Sequence, residues 1–254
     1  VWQVIVVVLA LGGYAGISRA AEQSGAVGIE GTISSPPPTQ AAHISIPSNG
    51  QSFTTLPVTV SGLCPNGLLV KLFKNNVFGG SVQCNNGSFS LLIDLFNGQN
   101  ELVARVYDNL DQPGPDSNIV TVSFADNRRG SGSRIGLGSI YAKRGANPKE
   151  ELIWPITLSG GIGPYAITVD WGDGKAADLI SQAFPGNFNI KHTYESPGVY
   201  NIIVKATDST GDVAYLQLVG VGNGALSQAD AQKASSKGDT KTVTKILWQP
   251  ALLL

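Results

Sequence analysis

"VDWGDGK", residues 169–175, decides how the rest of this sequence is read. It sets Asp170 and Asp173 beside Trp171 in a turn containing Gly172 and Gly174, and His192 follows in "KHTYESPGVY", residues 191–200. Acids and a histidine at this spacing fit an acid–base site or the pins of a small β-sandwich. An acid–base site needs a nucleophile or a metal beside the pair, and the chain carries no G-x-S-x-G, no H-E-x-x-H and no P-loop. The other histidine, His43, stands far off in an opening strand-like run. The sandwich needs only what is present. Gly172 and Gly174 permit positive φ in a tight hairpin, and Asp173 accepts hydrogen bonds from turn amides. No catalytic residue is expected.

Around this turn the sequence reads as strands. "LGSIYA", "ELIWPITLSG", "PYAITVDW", "AADLIS", "NFNIKHT", "GVYNIIVKATD" and "DVAYLQLV" follow one another between turn residues. In the sixth, Tyr200, Ile202, Val204 and Ala206 share a face, opposite Asn201, Ile203, Lys205 and Thr207. Upstream a similar set appears: "HISIP", "PVTVSG", "LLVKLFK", "VFGGSV", "GSFSLLID", "NELVARVYD" and "SNIVTVSF". There Leu102, Ala104 and Val106 share one face, with Val103, Arg105 and Tyr107 on the other. Short alternating strands separated by turns are the signature of an antiparallel β-sandwich. The fold class is therefore all-β, with two tandem Ig-like sandwiches behind an N-terminal hydrophobic helix, the sandwiches reading as beads on a string.

The second unit carries a resemblance to a known family. "GGIGPYAITVDWGDG" and then "HTYESPGVYNIIVKATDSTGD" resemble a PKD domain, the Ig-like sandwich named after the polycystic kidney disease protein. That family's order is an aromatic with Gly-Asp-Gly, then His-Thr-Tyr, Gly-x-Tyr and an Asp-x-x-Gly turn. Here these are Trp171, Gly172, Asp173 and Gly174, then His192, Thr193 and Tyr194, then Gly198 and Tyr200, then Asp208 and Gly211. Val169 stands where the family often has tryptophan, which implies a differently packed core at that point. The resemblance spans residues 136–222 and implies structural roles: His192 holds the hairpin, and Tyr200 forms a tyrosine corner on nearby backbone. Some PKD-like domains also bind calcium, which would draw on Asp170, Asp173, Asp208 and Asp212. Apart from that calcium alternative, no cofactor is expected. The first unit, residues 42–124, resembles the bacterial Ig-like modules of surface proteins, through "ISIPSNGQSF", "VTVSG" and "NGSFSLLIDLFNGQNELVARVYD".

Composition agrees with strands. Only 14% of residues are charged, well below the roughly 25% usual for soluble domains, while glycine (31) and proline (14) are plentiful. The net charge of -1, without a basic stripe, gives no footprint for nucleic acid. Cys64 and Cys84 are the only cysteines, too few for a zinc site, and read as a disulfide. That bridge implies an oxidising space outside the cytoplasm. "Asn86-Gly87-Ser88" matches a glycosylation sequon and is read as chance.

The ends point to a membrane. Residues 1–17 are uncharged and just long enough for a span, with Trp2 and Tyr14 suited to the headgroups. Three readings stay open for this segment: a retained anchor, a secretory signal left in place, and a pilin-type assembly helix. The third sits poorly with Ile5, where type IV pilins usually carry glutamate. The organisation is then a hydrophobic helix (1–25), a Pro-rich linker (26–41), a bacterial Ig-like sandwich (42–125), a linker (126–135), a PKD-type sandwich (136–223) and a polar tether with an apolar end (224–254).

The expected function is that of a non-enzymatic cell-surface stalk or adhesion module, held in the membrane through residues 1–17. Its contacts would be with surface proteins or polysaccharides, made through loops such as residues 108–117 and 181–188. The alternatives are a filament subunit that self-associates through the apolar helix, and an accessory region of a larger surface hydrolase.

Overall fold

The computed structural model describes residues 35–128 and 132–223, and every regular element in them is a β-strand. The expected N-terminal helix, its membrane contact and the C-terminal tether lie outside the described residues.

The first sandwich comprises β1 (His43–Ile46), β2 (Ser52–Phe53), β3 (Val58–Leu63), β4 (Leu69–Lys74), β5 (Val77–Gln83), β6 (Ser88–Ile93), β7 (Gly98–Tyr107), β8 (Pro113–Asp116) and β9 (Val120–Phe124). One sheet runs β1-β3-β6; the other runs β2-β9-β7-β4-β5, with β8 added on β7. Alternation decides which side chains go inside. Val58 and Val60 of β3, Leu102, Ala104 and Val106 of β7, and Val120 and Val122 of β9 fill the space between the sheets. Cys64 follows β3 and Cys84 follows β5, and their disulfide (Cα–Cα 6.0 Å) ties the two sheets together. Two short strands escape the alternation pattern: β2 has two residues, and β8 is Pro-Gly-Pro-Asp.

The second sandwich comprises β10 (Gly136–Gly138), β11 (Lys143–Ala146), β12 (Glu151–Ser159), β13 (Tyr165–Asp170), β14 (Asp178–Gln182), β15 (Gly186–Thr193), β16 (Gly198–Thr207) and β17 (Val213–Gly222). Its sheets run β10-β12-β15 and β11-β17-β16-β13-β14. The expected strand "LGSIYA" is shorter, closing at Gly138, and the chain re-enters as β11 beside β17. At this bend Ser139 is fixed by Trp154, whose indole Nε1–H donates to Ser139 Oγ at 2.9 Å. Trp154, Ile167, Val169, Ile190, Ile202 and Val204 are all fully buried in the core. Trp154 comes from β12, in the sheet facing that of Val169.

The two sandwiches belong to one compact unit, which differs from independent beads. The cause is β17, whose run Leu216, Gln217, Leu218, Val219, Gly220 is buried on both faces. Leu216 and Leu218 enter the core of their own sandwich. Gln217 faces the first sandwich, where its Oε1 accepts from the Leu92 amide at 3.2 Å. Ser81 of β5 donates to the Ala142 carbonyl, the Tyr215 amide donates to Asp94 Oδ2 at 2.7 Å, and Phe78 packs against the second core. Gly80 lies so close that a Cβ there would stand 3.2 Å from the Gln217 carbonyl oxygen. Arg128 adds a charged clasp, paired with Asp126 at 2.7 Å and with Asp212 at 2.5 Å.

Replacing both cysteines by serine removes a closure spanning 20 residues, worth about 3 kcal/mol in the chain-entropy model. Unfolding of the double variant in denaturant should show a loss of that order, with the wild type falling to meet it in reductant.

Candidate functional site

The sequence-predicted site lies at one end of the second sandwich, where the two sheets are joined by a ladder of rings. Trp171 leaves β13 in one sheet, and His192 and Tyr194 stand at the end of β15 in the other. The His192 ring stacks on Trp171 with centroids 4.6 Å apart and planes 11° apart. Tyr194 meets His192 edge-on at 4.8 Å and stacks on Tyr200 of β16 at 4.0 Å. Such ring pairs add about 0.5–1.5 kcal/mol each beyond their area.

Hydrogen bonds hold the ladder from each of its four rings. His192 Nε2 lies 2.9 Å from Asp173 Oδ2, while Asp173 Oδ1 accepts from the Lys175 amide at 3.1 Å. Trp171 Nε1–H donates to Asp178 Oδ2 at 2.7 Å, Tyr194 Oη to the Trp171 carbonyl at 3.1 Å, and Tyr200 Oη to the Ser196 carbonyl at 2.8 Å. The turn needs glycine where a side chain would collide. At Gly172, φ is +73° and a Cβ would stand 2.5 Å from the Asn201 carbonyl oxygen. Gly220 is equally constrained from β17, since a Cβ there would stand 2.4 Å from Tyr194 Oη.

Electrostatics follows from these contacts. Burial pushes the Asp173 carboxyl up, but the His192 bond, the Lys175 amide and the nearby positive charge outweigh it and hold the carboxyl below its ordinary range. Burial, with Asp173 close by, pushes the Tyr194 hydroxyl well above a free phenol. Both Asp173 oxygens are engaged within the fold, one by His192 and one by the Lys175 amide, so the carboxylate ties the turn after β13 to β15.

Asp208 does a separate job at the other end. Its Oδ1 accepts from the Thr210 and Asp212 amides and the Thr210 hydroxyl, and its Oδ2 from the Ile162 amide at 3.0 Å. Here too burial pushes upward and the hydrogen bonds win, holding the carboxyl low. Gly211, at φ +89°, closes this turn. The calcium alternative fails on placement. Asp208 follows Thr207, which faces Ala166, four residues along β13 from Asp170, or roughly 13 Å at 3.3 Å per residue. Asp212 is engaged by Arg128, and no cluster of three or more acids, histidines or cysteines suited to a metal occurs among the described residues.

Asp178 is the partner that sequence reasoning missed. A carboxylate seven residues beyond an indole is a signal only once β13 and β14 are known to form a hairpin.

No protein-family model matches the chain, and no curated protein is similar to it in sequence. Solved structures similar to it include the fibronectin(III)-like modules of CbhA from Clostridium thermocellum: 15% identity, 34% of this chain, 99% of that chain and a TM-score of 0.29. A second is the PKD domain of an M14-like peptidase from a Thermoplasmatales archaeon, with 15% identity, 36% of this chain, 94% of that chain and a TM-score of 0.28. A third is a Corynebacterium diphtheriae protein described as membrane anchored, with 15% identity, 74% of this chain, 60% of that chain and a TM-score of 0.28. Likeness at these scores carries no argument. The class of fold, two β-sandwiches of mainly antiparallel strands, rests on the strand order and register above.

Replacing His192 by alanine removes a bond to a charged group and a stacked ring, and should cost about 2 kcal/mol. Because Asp173 is held below its ordinary pKa, its contribution is present above about pH 4 and is lost as pH falls through the depressed value. Chemical denaturation of wild type and Asp173→Asn should therefore differ at pH 7 and converge in acid; a constant difference would show that the charge is immaterial.

Proposed function

We propose that the chain is a non-catalytic cell-surface module, anchored through residues 1–17, that carries binding loops on two joined sandwiches outside the cytoplasm. The observation that supports this most is the spending of the candidate chemistry. Asp173, His192, Tyr194 and Tyr200 are each committed to a neighbour within the fold. The disulfide suits an oxidising space, and the shared joint suits a stalk that presents its ends in a fixed relation.

The binding loops are those named from sequence, each of which includes strand residues. Residues 108–117 are a turn organised by Asp108, followed by β8 on the flank of β7, leaving Leu110 exposed. The segment 181–188 is the crossover between β14 and β15, which lie in different sheets, and Phe184 at its tip is 79% exposed. Gly163 of the neighbouring loop lies against the Ala183 carbonyl, so the exposed Ile162 is presented beside the same crossover. Large apolar side chains at loop tips are suited to anchoring a protein or the apolar face of a sugar.

The test uses the full chain, imaged with and without detergent and then assayed for retention on cells and on immobilised polysaccharide. Detergent-dependent particles whose retention falls at least about tenfold in Phe184→Asp or Leu110→Asp, about the 1.4 kcal/mol of one modest anchor, are expected. Filaments that persist without detergent would overturn the stalk in favour of a polymer built on the apolar segment. Unaltered retention in both variants would move the binding surface elsewhere.

A further inference from the structure

The joint between the sandwiches contains one carboxyl whose setting neither core requires. Asp94 follows β6, and its Oδ2 accepts the Tyr215 amide of β17 across the joint. Its Oδ1 is shut off from water and meets no hydrogen-bond donor. A half-buried carboxylate with one oxygen shut off and unsatisfied is costly, whereas the neutral acid is less so, because the charge is what needs solvation.

The surrounding charges do not rescue it. Lys74 of β4 is the nearest cation, yet its Nζ donates to the main-chain carbonyl of Asp94 at 2.6 Å and lies 4.5 Å over the Phe96 ring. Arg134, from the segment before β10, sends Nη1 to Asp126 at 3.5 Å and sets its guanidinium over Phe124. Arg128, which lines the same cleft, is engaged by Asp126 and Asp212. From β17 the facing groups are the Tyr215 amide and the uncharged Gln217 amide, which is bonded to Leu92. No cation lies within ion-pair distance of the Asp94 carboxylate among the described residues.

We propose that Asp94 makes the joint a proton-operated latch, closed and stiff while its carboxyl is neutral and loosened when it carries charge. The room for this lies alongside. A cleft of about 750 Å³ opens between the sandwiches, lined by Asp94, Lys74, Phe96, Arg134 and Tyr215 among others, and water there can receive the charged group once the joint gives. Burial pushes the Asp94 carboxyl up to about 6, against the pull of the Tyr215 amide, Lys74 and Arg134. Burial also pulls the Lys74 ammonium down, against the pull of Asp94.

The sign follows from linkage. With the joint open, a solvated aspartate titrates near 4; with it closed, near 6, so the closed form binds the proton more tightly. Closure gains as pH falls from about 6 towards 4, and levels off below. A displacement of this size shifts the closing equilibrium by tenfold or more, about 1.4 kcal/mol per tenfold. In neutral surroundings the two sandwiches sample a wider range of angles; in acid they lock.

The experiment places one spin label on each sandwich of the full chain, at the exposed Ser90 and Asn189 replaced by cysteine, with the native disulfide intact. The distance distribution is read from pH 4.5 to pH 7.5. The wild-type distribution should broaden with a midpoint near 6, and Asp94→Asn, neutral at every pH, should stay narrow throughout. His43→Asn, at an exposed site away from the joint, should keep the transition, which separates Asp94 from changes made elsewhere on the first sandwich. A wild-type distribution that does not change with pH overturns the latch, whether or not the Asp94 variant folds. So does a transition that survives in Asp94→Asn or disappears in His43→Asn.

Discussion

Everything at the far end of the second sandwich depends on one contact, the 2.9 Å approach of His192 to Asp173. Two sheets facing each other across an apolar core have no directional bond between them, since their hydrogen bonds run within each sheet. The hydrophobic effect holds them together but does not fix how one slides over the other. A polar pair that reaches from the turn after β13 to the strand opposite removes that freedom. The imidazole then presents its face to Trp171 and its edge to Tyr194, so a single orientation of one ring sets the positions of two others. Gly172 and Gly220 are the sites where this arrangement leaves no space for a Cβ.

The joint obeys a different logic. A sandwich in isolation needs its outer strand faces to be polar, and a strand apolar on both sides implies a second layer. β17 is such a strand, and the first sandwich is that layer. Most of the polar links across the joint use a main-chain group on at least one side: Leu92 N–H, Tyr215 N–H and the Ala142 carbonyl. Apart from proline, a substitution leaves the backbone donors and acceptors in place, so the geometry of the joint is anchored in the strands themselves. Side chains such as Gln217 and Asp94 tune how firmly it holds.

Much of this was readable in advance, and the reasons are local. Strands such as β3, β7, β9 and β16 bury alternate residues, and their period of two is written directly in Val58, Val60, Leu102, Ala104 and Val106. The hairpin of Gly172 and Gly174 is likewise a local matter of backbone freedom. What stayed hidden depends on distance in the chain. Strands β2, β8 and β11 are held by their neighbours and not by their own pattern; Lys-Arg-Gly-Ala and Pro-Gly-Pro-Asp carry no strand signature. The indole partner Asp178 and the joint residues Gln217 and Asp94 look like ordinary polar positions until the sheets are stacked. The sequence pattern also left the four aspartates free to converge, and only the register of β13 on β16 separates them.

Two of the least conspicuous pairings matter once the chain is put under tension. In each sandwich an early strand lies parallel to the last: β2 beside β9, and β11 beside β17. When the two ends of such a module are drawn apart, parallel terminal strands are dragged lengthwise in opposite directions. Their hydrogen bonds then bear the load together, instead of opening one after another as in a hairpin peeled from its tip. The second sandwich has four facing pairs in this clamp and the first has two. In the first sandwich the clamp is lengthened by main-chain bonds from the Gly50 amide to Thr121, the Ser123 amide to Gln51 and the Ala125 amide to Phe53, and its two sheets are also sewn together by a covalent bridge.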